Sequence, residues 1–493
     1  MNSSTAFDKI NFGTILILSV IVLIIAHATL GDLGRNLWVS GFTVILITFL
    51  LTSVFLTVFK RNIFFILIIL YILLHFPIFL YGGGGLFNLV TSTLLPLIIL
   101  LKAKDWEFKD KKVWFLIILL FIFNSIGYFT GSLGTLHIIN GFVAFIGIIT
   151  IFFIAQGVLL TEKRIKNFVI AAAILGILNL FVTINSFYQI IDINSPLFVS
   201  FYGHGQVSRH IFTNNGTLCT IEIFGEWAML NSFLLLPFIF LKKENNLLKK
   251  KESILIRVGF ISSLLCAYLS FSKAVILLTL SGLFLYLIYS IIIFYDHKAI
   301  VRYFLVVFLM LIITPIIYDF FDFTYLLGRF YENPDFLKNF LENPLTGEGT
   351  SRAVAYQLGL DRISEQNWIF GNGWSIPEGN AFSWFGNYQT MLILDFHNLY
   401  FCLIPIWGYT GSFIFVLIIL ITAWKLSKNI IKLKYIQNSL LLPLMIGMLF
   451  VLIFFLIDEY KINATRNSYF SVVMIWLGLA INANSIANNL INE

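Results

Sequence analysis

Runs of roughly 20 apolar residues, separated by polar connections, recur from one end of this 493-residue chain to the other. A helix of that length crosses a hydrocarbon core of roughly 30 Å. Lipid offers backbone N–H and C=O groups no partners, so a chain of this pattern spans as helices or as a closed barrel. The runs are continuous rather than alternating, which selects helices. We place about fourteen spans, centred near residues 20, 48, 72, 94, 121, 149, 178, 229, 263, 284, 309, 410, 449 and 478. Composition agrees: 59% of the residues are hydrophobic and 12% charged, against about 25% charged in soluble domains.

Alternate connections carry the positive charge. Lys60-Arg61, Lys102 to Lys112, Lys163 to Lys166, Lys242 to Lys251, Lys298 with Arg302, and Lys425 to Lys434 hold, with Lys9, most of the 32 lysines and arginines. The positive-inside rule makes these loops cytoplasmic. The formal net charge of +7 is then accounted for by topology, and no nucleic-acid partner is called for. Lys9, an apolar run and "AHA" also raise a cleaved signal peptide as the lesser alternative for the first span. The three cysteines, Cys219, Cys266 and Cys402, are widely spaced beside or within spans. They suggest neither a disulfide framework nor a metal cluster.

Most outer connections are tiny, and two are not. The chain divides into N-terminal transmembrane helices (1–190), central helices with a first large outer loop (191–318, the loop at 191–217), an extracytoplasmic loop (319–395) and C-terminal helices (396–493). A connection of roughly 75 residues is far beyond the usual length and marks a functional lid or a small domain. Within it, "SRAVAYQLGLDRISEQ" spaces Ala353, Tyr356, Leu360 and Ile363 as a short helix, and "FGNGW" ends that helix with turn-forming glycines. The first seven spans hold almost no ionisable side chain, which weighs against a transporter's mid-membrane charge pathway.

The chemistry is therefore sought on the outer face. Its cations are few: Arg209, Arg329, Arg352 and Arg362 in the loops, and Lys273 in "LSFSKA" at the outer mouth of a helix. Guanidinium groups match phosphate oxygens with a planar fork, so several converging at a membrane surface suit a lipid-linked phosphate or diphosphate. Each taken singly is equally well a snorkelling or solvated charge. His397, in "LDFHNLYFCLIPIWGYTG", lies where the long loop re-enters the membrane; an imidazole there suits proton transfer, oriented by Asp395, Asn398 or a backbone carbonyl. An interfacial histidine without a task is the plainer reading, and His204 and His210 are rival bases. Glu222 and Glu226, four apart in "CTIEIFGEWAML", share one helix face. They suit sugar binding or helix capping better than acid/base catalysis. Trp374, with Trp368 and Trp384, suits anchoring the loop at the membrane interface.

The ordered pieces resemble the bacterial O-antigen polymerase and ligase superfamily of the Wzy and WaaL type. The resemblance runs over the second half of the chain, through "SRHIFTNNG", "EIFGEWAMLNSFLLLP", "YLSFSKAVILLTLSG", "SRAVAYQLGLDRISEQNWIFGNGW" and "HNLYFCLIPIWGYTG". The family pattern sets an arginine some way before a G-x-G turn, then a His-Asn pair, then a glycine eleven positions after the histidine. Arg352, Gly371, Gly373, His397-Asn398 and Gly408 fit it. Ser272-Lys273 departs from it, since the family commonly has Ser-Arg there.

The resemblance implies an all-α, GT-C-like fold and a metal-independent inverting glycosyltransferase without cofactor. It would act at the outer face of a bacterial cytoplasmic membrane on a glycan carried by undecaprenyl diphosphate. Arg209, Arg352 and Lys273 would counter the diphosphate charge and His397 would be the base. Glu222, Glu226, Arg362, Trp374, Asp395 and Asn398 would line or support the sugar site. Polymerase is the expectation and ligase to a lipid A core the alternative; transporter is the rival class. A flippase and a chain-length regulator are the implied protein partners.

Overall fold

The computed structural model describes residues 63–74, 107, 110–131, 135–188, 221–239, 247–270, 272–294, 369–374, 379–380, 394–395, 398–433, 439–460 and 469–492. Ten helices account for nearly all of them: α1 Ile63–Leu73, α2 Lys111–Thr130, α3 Thr135–Gly157, α4 Glu162–Tyr188, α5 Ile221–Ile239, α6 Lys250–Leu269, α7 Lys273–Phe294, α8 Leu399–Leu433, α9 Leu441–Asp458 and α10 Tyr469–Asn492. Among the described residues the one sheet is a two-residue parallel pairing of β1, Gly379–Asn380, with β2, Leu394–Asp395. Seven helices among the described residues are long and apolar enough to cross a membrane. The described helices take in ten of the predicted spans. The spans near residues 20, 48, 94 and 309, the loop at 191–217 and most of the loop at 319–395 lie outside the described residues.

Polar residues at several helix ends tie those ends to one another. Asp110 caps α2, its Oδ1 accepting from the Lys112 and Val113 amides at 3.1 and 3.3 Å. Its other carboxylate oxygen pairs with Lys425 near the end of α8. Lys166 of α4 meets Glu252 of α6 at 3.0 Å. Glu162 accepts from Ser439 and the Leu440 amide at the start of α9. These contacts gather the starts of α2, α4, α6 and α9 and the end of α8 at one lysine-rich end of the bundle. The opposite, far end receives the starts of α5, α7, α8 and α10.

Between the ends the helices are joined as lipid requires, by small residues and a few buried amides. Gly259 of α6 lies so close to α4 that a Cβ on it would meet Ala173 at 2.5 Å. Beside that contact Asn231 of α5 donates to the Ala172 carbonyl at 3.0 Å and to Ser263 Oγ at 2.9 Å. Helices α9 and α10 are largely buried at the centre, while α2 and α7 turn most of their length outward. Phe115 and Phe129 of α2 and Phe413 and Trp424 of α8 are exposed large apolar side chains. A soluble surface rarely carries so much apolar area, and a lipid-facing one requires it.

One helix departs from the expected simple span. Helix α8 runs for 35 residues and breaks at Gly408, where φ is 67° and ψ −179°. Pro405 within it also lacks an N–H to give. How the broken backbone is satisfied leads directly to the site.

Candidate functional site at the far end

An unbroken α8 would pair the Pro405 and Ile406 carbonyls with the amides four residues on. The turn at Gly408 removes that option. Instead the carbonyls accept from Asn372 and Gly373, at 2.8 Å each, and the Asn372 side chain adds a bond to the Pro405 carbonyl at 3.1 Å. The stretch 369–374 therefore re-enters the bundle and completes the helix it docks on, the condition under which irregular backbone persists at membrane depth. Gly371 and Gly373 have φ of 69° and 84°, values that favour glycine. A Cβ on Gly371 would meet the Ile406 carbonyl oxygen at 2.5 Å. The docking thus brings Gly371, Gly373 and Gly408 of the resembling pattern into one contact.

Trp374 closes this clasp. Its indole is buried against Phe145, Trp407 and Phe470, with ring centroids 6.1, 5.3 and 5.0 Å away. Its amide donates to Asn124 Oδ1 of α2 at 2.7 Å, and its carbonyl accepts from the Tyr128 hydroxyl at 2.7 Å. The Trp374 side chain is thus packed inside the bundle. Asn124 and Tyr128 carried no sequence signal beyond being polar positions, with Ser125 and Thr130, in an apolar run.

Past the clasp the far end gathers further predicted positions. Asn398 caps α8, its Oδ1 accepting from the Phe401 amide at 3.2 Å, while its Nδ2 donates to the Tyr460 carbonyl at 2.6 Å. The Leu399 amide donates to the Glu459 carbonyl at 3.0 Å, so the start of α8 is latched to the end of α9. Glu226 of α5 is fully buried, as is Tyr469 at the start of α10. Asp458 and Glu459 are themselves fully buried. Among the described residues no such group is arranged to hold a metal ion.

Lys273 starts α7, beside the same helix. A Cβ on Gly225 of α5 would meet Ser270 Oγ at 2.6 Å and Val275 Cγ2 at 3.1 Å. The corner that carries Lys273 therefore packs on α5 between Glu222 and Glu226, and the backbones of Glu222, Lys273, Trp374 and Asn398 belong to one end of the bundle. Asp395 lies on β2, opposite Asn380. His397, Arg209, Arg352 and Arg362 lie outside the described residues. Sequence reading missed Asp458, Glu459, Tyr400 and Tyr469; "LIDEY" at the end of an apolar run was the available signal for the acids. No protein-family model matches this chain, and no curated protein matches it.

Proposed function

We propose that the protein is a membrane-embedded inverting glycosyltransferase of about fourteen spans in a GT-C-like arrangement, which polymerises a bacterial surface polysaccharide from undecaprenyl-diphosphate-linked repeat units at the outer face of the cytoplasmic membrane. The observation that supports the resemblance behind this reading is the docking of Gly371 and Gly373 on the α8 break at Gly408. Three positions of the resembling pattern, separated along the chain, serve one structural purpose. The same end of the bundle holds Asn398, Glu226 and the start of α7 at Lys273.

In the proposed reaction the acceptor hydroxyl attacks the anomeric carbon of the donor sugar. His397 takes the hydroxyl proton as the new C–O bond forms. The bond from the anomeric carbon to the diphosphate oxygen breaks, and the diphosphate leaves with its electron pair. Arg209 and Arg352, with Lys273, counter the charge that develops there, where fixed cations lower a barrier most.

Purified protein given an undecaprenyl-diphosphate-linked repeat unit is expected to build a glycan ladder on a gel, and His397→Ala and Arg352→Ala to lose it. Transfer only after addition of a lipid A core would make the protein a ligase. A second reading, ion-coupled transport, draws on the buried Glu226, Asp458 and Glu459, because intramembrane carboxyl groups often mark ion pathways. Proton-driven uptake by proteoliposomes, with no glycan extension from either acceptor, would replace the transferase reading by that one.

A further inference from the structure

We propose that Asn124, in the half of the chain that the resemblance does not cover, is a positioning residue for the transfer step; the inference rests on the transferase reading. Asn124 is fully buried on α2. Its Oδ1 accepts from two partners of different origin, the Trp374 amide of the long loop at 2.7 Å and Trp407 Nε1 of α8 at 3.0 Å. One oxygen therefore registers the loop against the helix that follows His397.

The rest of the α2 face is shaped for the same purpose. Positions 124, 127, 128 and 131 follow helical spacing and lie on one side. Tyr128 holds the Trp374 carbonyl. A Cβ on Gly127 would meet the Gly373 nitrogen at 2.5 Å, and one on Gly131 would meet Asn372 Cα at 2.8 Å. Glycine at both positions lets the loop backbone lie directly on the helix.

The consequence falls on the first two turns of α8, residues 399–407, which begin two positions after His397 in the chain. One end of this segment is latched through Asn398 to Tyr460 and through Leu399 to Glu459. The other end is held through Pro405, Ile406 and Trp407 to the loop and to Asn124. A segment fixed at both ends holds Leu399, its first residue, at a set place. Removing the Asn124 tie loosens one end, which then rests on the Pro405 and Ile406 carbonyls alone, and a displacement of about 1 Å at a reacting group lowers turnover by about 100-fold.

The test uses the full-length protein in nanodiscs with the undecaprenyl-diphosphate-linked repeat unit. It compares wild type, Asn124→Leu, Asn124→Asp, Trp407→Phe and, as a structural control, Asn482→Leu. Asn482 is an equally buried amide, held by the Ala155 and Val158 carbonyls away from the clasp. Asn124→Leu is expected to lower kcat about 100-fold with KM within threefold, and to speed hydrogen exchange of the 372–374 amides at least tenfold. Asn124→Asp keeps an acceptor oxygen and restores both; Asn482→Leu lowers thermal stability without changing either. Trp407→Phe removes one of the two donors and lowers kcat by a smaller factor, and it decides the matter if Asn124→Leu does not fold.

Faster exchange with wild-type kcat in Asn124→Leu would overturn the inference, as would unchanged exchange. Failure of wild type to extend the donor would instead remove the transferase reading, and the positioning role with it. The exchange comparison alone then still tells whether Asn124 holds the clasp.

Discussion

Gly408→Ala tests the clasp at its most constrained atom. Gly408 sits at φ 67°, ψ −179°, a region essentially confined to glycine, and an L side chain forced into it costs about 1–3 kcal/mol. A Cβ there would also run into the Ile369 carbonyl and stand 2.6 Å from the Phe370 nitrogen. The strain can be relieved by lifting the loop off α8. Doing so forfeits three bonds, from the Asn372 amide, the Asn372 side chain and the Gly373 amide to the Pro405 and Ile406 carbonyls, each worth about 1 kcal/mol net. Either route weakens docking by about 3 kcal/mol, which is roughly a 100-fold shift towards the undocked arrangement.

Hydrogen exchange reads that shift, because amide protection follows the free energy of local opening. The Asn372 and Gly373 amides are expected to exchange roughly 100-fold faster in Gly408→Ala. Gly478→Ala is the control: a Cβ there meets Ala155 Cβ at 2.7 Å, so it perturbs the α3–α10 contact instead. It should leave the 372 and 373 amides unchanged. A change below threefold in Gly408→Ala would refute the reasoning, since the loop would then be held by something other than the broken helix.

Asp110→Ala removes both the α2 cap and the partner of Lys425, and is expected to lower stability by about 1–2 kcal/mol, whereas Lys425→Ala removes only a partly exposed ion pair worth under about 1 kcal/mol. Equal losses in thermal unfolding would show that the cap contributes nothing. Asn398→Asp keeps the acceptor for the Phe401 amide and loses the donor to Tyr460, so it should be about 1 kcal/mol less damaging than Asn398→Ala; thermal unfolding of the two variants in one detergent decides this. Glu226→Gln replaces one of three buried carboxyl groups with a neutral group of the same shape, and is expected to hold or raise the melting temperature. A clear fall on that substitution would mean that the Glu226 charge stabilises the fold. EDTA is expected to leave the proposed polymerisation unchanged, and a ladder lost with EDTA and regained with magnesium would refute the metal-independent step.

Much of the helical frame was legible because lipid imposes a single rule on every span. The runs around 121, 178, 263, 284, 449 and 478 became helices that can cross a membrane, since a continuous apolar run has no other way to satisfy its backbone there. The break in α8 was only half visible. Pro405 and Gly408 could be read from sequence as a weak point in a helix, yet their meaning depends on amides supplied from residues 372 and 373. A contact across that separation leaves no periodicity to read. Asn124 was harder still, because a buried carboxamide in an apolar run looks the same whether it binds its own helix, as Asn179 does with the Leu175 carbonyl, or receives a distant loop. Asp458 and Glu459 read as the polar end of a span; only the packing of α5, α8 and α10 around them makes them interior.

The clasp also separates the two kinds of residue in the resembling pattern. Gly371, Gly373 and Gly408 are accounted for by backbone geometry alone: a helix broken within lipid must be completed by another backbone, and close approach of two backbones at positive φ requires glycine. No chemistry enters that explanation, so these positions speak for the scaffold. The chemical content of the pattern rests on Arg352 and His397. The two classes should therefore part experimentally. Gly408→Ala is expected to lose exchange protection at 372 and 373 and turnover together, because the scaffold fails first. His397→Ala and Arg352→Ala are expected to keep full protection there while losing the ladder. If His397→Ala released the clasp as Gly408→Ala does, the histidine would belong with the glycines as a structural residue, and the proposed base would have to be sought among the carboxyl groups of Glu226, Asp458 and Glu459.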